Sequence, residues 1–530
     1  MQPSAPFALF DHDNGQSLLL TDYQGAYALS AAADVKTLFG AVEKETAQHH
    51  WVVLAADYAL ASDFEPALAH LPTPELQRQK PRPALRAWVF AQAQWLSAQQ
   101  TADFIAARLD ALPEQLRTAG IADLRSTLSA SEYQARIARI QQLIQAGDCY
   151  QINFTFPLKF TAYGHPFALY AGLRRRQPVA YGAYISTPET TADAATAILS
   201  FSPELFFARQ GKQIITRPMK GTAARDVDPN TDESNRQALL ASEKERAENI
   251  MIVDLLRNDL NRLAKPGQVK VDALCVSEAY PTLWQMVSTI SAELPDVALH
   301  TVFAALFPCG SITGAPKIQA IRRIAELETE ARGLYTGSLG WIAPGGDCRF
   351  NVAIRTLELG NTPAQAFSQT AQLGVGSGIV INADAAQEYA ECLLKAQFLS
   401  AFDPGFVLIE TLRLEKPAGA AGHYPLLDQH LARLAASAKT LGFCYAAEQI
   451  QAALAAEARH NKTAGIFRVR LSLAQQGECR TESSPITATE GAWHIIIAAE
   501  RLDPDDYLLR HKTSARSRYD RALTSLHTAN

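Results

Sequence analysis

The stretch EKERAENIMIVDLLRNDL, residues 243–260, decides how this chain is to be read. It is rich in Leu, Glu and Arg, and no proline or glycine interrupts it, so it favours helix. The same character continues on both sides. A helix is therefore predicted over roughly Asp232 to Ala264, ended by Pro266-Gly267. Glu245 and Glu248 are three residues apart and share one face of it. A solvated charged face is the ordinary meaning of that spacing. Here the helix runs on into IMIVDLL, and carboxylates on so apolar a helix are costly unless paired or metal-bound. A second helix, expected from about Ala385 to Ala401, repeats the arrangement, with Glu388, Glu391 and Lys395 at i, i+3 and i+7. Such carboxylates suit a hard cation: magnesium typically takes one or two of them plus waters and ligand oxygens.

Around these helices the chain has 530 residues, enough for more than one domain, with 48% hydrophobic and 19% charged residues, as in ordinary globular proteins. The net charge of -5 argues against a nucleic-acid footprint, which needs a concentrated basic surface. No segment has the ~18 uninterrupted apolar residues of a membrane span. The start, MQPSAPFALFDHD, lacks the basic and apolar regions of a secretory signal. The seven cysteines form no CxxC pair, and reduced thiols in a cytoplasmic protein are expected.

Residues 1–125 alternate apolar runs with Pro-bearing turns such as LPTPELQRQKPRP, a pattern of strands with interspersed helices. A helix is expected from Ser129, capped by Ser131, carrying Tyr133, Ile137, Ile140 and Ile144 on one face and stopping at Gly147. YQINFTFPLKF, GLYTGSLGWI and CRFNVAIRTLEL read as strands, and LGVGSGIV as a glycine-rich turn. The mixture indicates an α/β or α+β unit of about 400 residues. AFDPG, residues 401–405, is the candidate linker. Beyond it come a strand (FVLIETLRL), a helix (LLDQHLARLAASAKTLGF) and more strands.

Four blocks stand in order: SFSPELFF at 200–207, RPMKGTAAR at 217–225, the acidic helix at 243–260, and FPCGSITGAPK at 307–317. GLYTGSLGW, FNVAIRTLE, GVGSGIV and EYAECLLKA continue the series. Together they resemble the chorismate-utilising enzymes, most specifically over residues 125–400 and more weakly over 1–125. The resemblance implies an α/β (α+β) fold for residues 1–400: a large sandwich of two packed antiparallel sheets with outer helices. It implies that Glu248 and Glu391 hold magnesium, which would bind the ring carboxylate of chorismate, with Glu245 and Glu388 in support. Arg355 and Lys395 match positions that contact the substrate carboxylates, and a guanidinium suits a carboxylate through its planar fork. Tyr335 matches a substrate contact. Gly376 and Gly378 are expected to let backbone amides approach the ligand.

RPMKGT decides the branch. Family members making anthranilate, isochorismate or salicylate usually carry a small apolar residue where Lys220 stands. A lysine there resembles the branch that makes aminodeoxychorismate. Its amine can attack C2 as the C4 hydroxyl leaves, after which ammonia displaces it, provided the lysine is neutral and desolvated. Glu204, 16 residues before Lys220, matches the family's general acid. Thr222 is expected to contact a hydroxyl. Gln151 stands where water-adding relatives carry a lysine base. Its amide cannot be that base, although the position still borders the substrate. Trp284 stands where many relatives have a histidine near the substrate. No LLES-type segment is present, so tryptophan feedback is not expected.

No glutamine amidotransferase signature occurs, and the resemblance implies a separate glutaminase partner that delivers ammonia. From Phe406 onward, FVLIETLRLE, the HLARL helix, GIFRVRLSL and LLRHKTSARSRYDRA resemble class IV pyridoxal-phosphate enzymes, which include lyases acting on aminodeoxychorismate. Residues 406–530 are expected to hold their small α/β domain. Lys512 matches the lysine that carries the cofactor, and Arg433 a phosphate-binding arginine. Only 18 residues follow Lys512, where these enzymes place further cofactor contacts. The segment is therefore expected to be an incomplete lyase-like domain with little cofactor binding and no lyase activity. The reading is an aminating enzyme of 4-aminobenzoate and folate synthesis. Anthranilate synthesis, or a silent scaffold that docks a glutaminase, are the alternatives.

Overall fold

The computed structural model describes residues 5–29, 34–68, 83–186, 197–280, 283–359 and 368–487, with 497, 502, 504, 506–517, 519–521 and 523. Most of LPTPELQRQKPRP (71–82) and the Pro281-Thr282 step lie outside the described residues.

Aromatic and β-branched residues extend YQINFTFPLKF as expected, over Gln151–Tyr163. Its partner is a surprise. LGVGSGIV is a strand and not a turn: it lies in Ser368–Ile379, paired antiparallel with Gln151–Tyr163 along its whole length. The glycines recur at every second residue, so they share one face. A Cβ on Gly374 would lie 2.1 Å from the Tyr335 ring, on Gly376 2.6 Å from the Phe154 carbonyl, and on Gly378 2.3 Å from Gln151 Nε2. The glycines clear space for neighbouring groups, a reason for strand glycine that composition does not reveal.

Every ladder of the main sheet is antiparallel, and eighteen described strands join into one hydrogen-bonded set. The two sheets implied by the resemblance are thus linked through shared strands. CRFNVAIRTLEL divides into Cys348–Val352 and Thr356–Leu359, because Arg355 turns through the left-handed region at φ 50. Only Ser338–Ile342 of GLYTGSLGWI is strand.

Helices cover the sheet. Ser129, and not Ser131, caps Ala130–Gln145 through a capping box with Glu132. That helix buries Tyr133, Ile137, Ile140 and Leu143, while Ile144 is half-buried. The helix expected over Asp232–Ala264 is two: Pro229–Ala241 and Glu243–Asn261. Ser242 is extended (ψ 110) and its hydroxyl accepts from Glu245 N, a local bond that ends one helix and starts the next. Asn249, Ile252, Val253, Leu256 and Leu260 bury the second helix at spacings of three and four. The other acidic helix spans Ala385–Lys395, with a short Gln397–Ser400 turn after it.

Beyond Gly405 a separate three-stranded antiparallel sheet forms, from Leu408–Lys416, Gly465–Leu473 and Cys479–Pro485. Leu427–Leu441 packs on it and ends at left-handed Gly442. A second helix, Ala447–His460, was not expected there; it buries Ile450, Leu454 and Ala458 at four-residue spacing. This unit rests on the main sheet. Its core includes Ala122 and Tyr163 of the larger unit, and the Tyr163 and Tyr507 rings stack at 5.8 Å.

Candidate active site

The chemistry-bearing residues gather in one cavity of about 230 Å3. The Glu243–Asn261 helix sends Glu245 and Glu248 into it, and the Ala385–Lys395 helix sends Glu388, Glu391 and Lys395. The sheet contributes Glu204, Lys220, Thr222, Arg355, Gly376 and Gly378, and Tyr335 closes the wall. Of the substrate contacts expected from sequence, Gln151 alone is not on this lining. It is buried against Gly378, and its Nε2 has no hydrogen-bond partner among the described residues. A second cavity, about 250 Å3, lies behind Tyr335 and Gly374 and holds none of the carboxylates of the two acidic helices.

Lys220 reaches the cavity through a bulge. In the pairing of Met219–Ala224 with Leu283–Glu293, Met219 faces Val287 and Thr222 faces Gln285, so Lys220 and Gly221 together oppose Met286. Two residues against one re-aim a side chain. Gly221 sits at φ 79, and a Cβ there would meet Glu245 Oε2 at 2.9 Å.

Glu204 is 4% exposed. Burial raises its pKa to about 7, against the opposing pull of the Ser311 hydroxyl and the Lys220 charge. One carboxyl oxygen, Oε1, has no hydrogen-bond partner among the described residues. Burial thus lifts this acid toward neutrality beside a lysine, the range in which a group can deliver a proton.

The four glutamates face one another. Burial raises the Glu248 pKa, with Glu245 and Glu391 adding to it against Lys220 and Lys244. Burial and then the Glu391 charge raise that of Glu388. Glu391 is also pushed up by burial, but Lys395, 2.9 Å away, outweighs that and lowers it. Like charges held together in this way fit a divalent cation. No group of three metal-binding side chains is assembled in ready geometry among the described residues. Magnesium that also takes substrate oxygens and water needs only one or two carboxylates. The donor set therefore fits it.

Arg355 has no ion-pair partner among the described residues, and burial alone lowers its pKa. A half-buried guanidinium facing a cavity without a counter-ion suits an anionic ligand. Lys395 also donates to the Gly376 carbonyl at 2.8 Å.

Sequence reading missed Lys244, Ser311 and Gln285, which line the cavity. Trp284 does not. Its Nε1 donates to Asp232 at 2.9 Å and Arg225 stacks on its ring, away from the cavity that its neighbour Gln285 faces. Strand alternation carried the signal, since adjacent residues point to opposite faces.

In the second unit, Arg433 places Nε and Nη2 on the buried carboxylate of Glu410, at 2.7 and 2.6 Å, and His430 contacts the same carboxylate at 2.8 Å. Lys512 lies near enough to feel Glu410, and burial lowers its pKa. The lysine fits an imine-forming role. Two donors of Arg433 are committed to Glu410, so a phosphate would have only its remaining donors.

A family profile described as chorismate binding enzyme matches residues 4–401, and one described as amino-transferase class IV matches residues 407–530. The aminodeoxychorismate synthase component 1 of Bacillus subtilis (strain 168) is 38% identical over 265 residues, 50% of this chain and 54% of that protein. The anthranilate synthase alpha subunit 2, chloroplastic, of Oryza sativa subsp. japonica is 35% identical over 288 residues, 52% of this chain and 46% of that protein. The chain spans about half the length of these curated relatives. The crystal structure of anthranilate synthase component I from Streptococcus pneumoniae TIGR4 aligns with TM-score 0.56 and 23% identity over 74% of this chain and 89% of that one, a likeness of fold.

Proposed function

This chain belongs to the chorismate binding enzyme family, and on that premise we propose that it aminates chorismate to 4-amino-4-deoxychorismate. One observation carries the reading: Lys220 and the buried acid Glu204 share a cavity with four glutamates and Arg355, which has no ion-pair partner among the described residues.

Arg355 and Lys395 would bind the substrate carboxylates. Magnesium would be held by Glu248 and Glu391, with Glu245 and Glu388 beside them. When bound, it neutralises these carboxylates and fixes a substrate carboxylate. The Lys220 amine forms a bond to C2, both double bonds of the ring diene shift by one position (to C1=C6 and C4=C5), and the C4–O bond breaks. Glu204 gives its proton to the departing oxygen, which leaves as water. Ammonia then bonds to C4, both double bonds shift back, and the C2–N bond breaks to return the neutral lysine. The new ammonium at C4 gives one proton back to Glu204, so chorismate and ammonia yield aminodeoxychorismate and water. We assign ammonia supply to a separate glutaminase partner, with ammonium salts able to replace it. The product would serve 4-aminobenzoate and folate synthesis in the cytoplasm.

We assign residues 1–125 and 126–400 to one catalytic unit, 401–405 to a linker and 406–530 to a class IV-like unit. Pyridoxal phosphate, an electron sink when bound, would use Lys512 and Arg433 there, but with Arg433 already held by Glu410 this unit would bind it weakly and have no lyase activity. The test is mass spectrometry of chorismate incubated with the protein, magnesium and ammonium. Replacement of the C4 hydroxyl by an amine supports the reading. Anthranilate as product would mean the branch is misread, and unchanged chorismate would favour a scaffold.

A further inference from the structure

Lys220 owes its direction to two backbone features, the bulge and the left-handed Gly221. Neither is self-supporting, because a bulge leaves unpaired backbone groups and loosens the ladder around it. One side chain closes the gap. Gln285 Nε2 donates to the Gly221 carbonyl at 2.7 Å, and Gln285 Oε1 accepts from the Thr222 hydroxyl at 3.2 Å. Both partners follow directly on Lys220. On the other side, Leu239 and Glu245 press on Gly221, within about 3 Å of where a Cβ would stand. The turn after Lys220 is thus gripped between the helices and one glutamine, and that glutamine faces the cavity.

We propose that Gln285 is the positioning residue of Lys220: its amide holds the bulge that turns the amine into the cavity. The inference rests on the amination reading above. Its chemistry is specific, because a primary amide offers a donor and an acceptor on one rigid plane, and both are used here. Asn is one methylene shorter and cannot span both partners. A carboxylate keeps the acceptor and loses the donor.

The test measures kcat and KM for chorismate with ammonium in the wild type, Gln285→Ala and Gln285→Glu. Misplacing a reacting group costs on the order of 10- to 100-fold. Gln285→Ala should lose that much in kcat, with KM little changed, because Arg355 and Lys395 still hold the substrate. Gln285→Glu donates to the Gly221 carbonyl only when protonated, so its kcat relative to wild type should recover as pH falls. If Gln285→Ala does not fold, the pH dependence of Gln285→Glu decides alone. Unchanged kcat in Gln285→Ala or a pH-independent Gln285→Glu defect would overturn the proposal. No aminated product from the wild type would instead overturn the function reading.

Discussion

Lys395 Nζ donates to the Gly376 carbonyl at 2.8 Å, which ties the second acidic helix to the glycine-bearing strand beneath it. The same ammonium lies 2.9 Å from Glu391. Both side chains of that ion pair are about half exposed, so the pair adds only about 0–1 kcal/mol to stability. Lys395→Ala should therefore fold normally. A charge-assisted bond to a substrate carboxylate is worth roughly 1.5–3 kcal/mol, so KM for chorismate should rise about 10- to 100-fold. Isothermal titration against chorismate with magnesium checks this; unchanged affinity would remove Lys395 from the binding set.

Glu204 should set the alkaline limb of the reaction. Its carboxyl holds a proton up to about pH 7 because it is buried. As an acid it works below that value, so kcat/KM should fall as pH rises through about 7.

The same burial has a stability consequence. A raised acid pKa leaves stability intact below its ordinary value near 4.5 and erodes it as pH climbs to about 7. Glu204→Gln should abolish turnover and yet raise the melting temperature at pH 8, by an amount corresponding to at most roughly 3 kcal/mol. At pH 4.5 it should change little. A melting point lowered at both pH values would contradict the burial argument.

The strand glycines should differ in tolerance. An added Cβ at Gly374 meets the Tyr335 ring at 2.1 Å, and at Gly376 the Phe154 carbonyl at 2.6 Å. At Gly378 it meets only the end of the Gln151 side chain. Overpacking costs about 1–3 kcal/mol, so Gly374→Ala and Gly376→Ala should lower thermal stability clearly and Gly378→Ala least. Calorimetry of the three variants reads the order.

Tyr507 joins the two units, its hydroxyl donating to Asp123 at 2.7 Å while its ring stacks on Tyr163. Tyr507→Phe keeps the stack and loses the bond, a cost of about 1 kcal/mol. Faster proteolysis in the 401–405 segment should report it. Unchanged cleavage would mean that the stack alone holds the units together.

Much of the site was legible because its residues carry chemistry that motif order exposes. Lys220, Glu204, Arg355 and the four glutamates all meet in the cavity. What was not legible depends on neighbours distant in sequence. Three alternate glycines look like a turn until Tyr335, Thr155 and Gln151 are seen beside them. Ser242 breaks a long helix through one local hydrogen bond, at a position where helix propensity alone predicts continuation. Trp284 and Gln285 could be told apart only by the face each presents, and the bulge opposite them sets that register. The Ala447–His460 helix was missed, although its four-residue apolar spacing carries the signal.

The central claim is that Lys220 replaces the C4 hydroxyl of chorismate with an amine. The most direct measurement is mass spectrometry of chorismate, magnesium and ammonium at near-neutral pH, with wild type and Lys220→Ala side by side. The account predicts a product carrying nitrogen in place of the C4 oxygen from wild type and none from Lys220→Ala. Equal amounts of that product from both proteins, or anthranilate from the wild type, would contradict it.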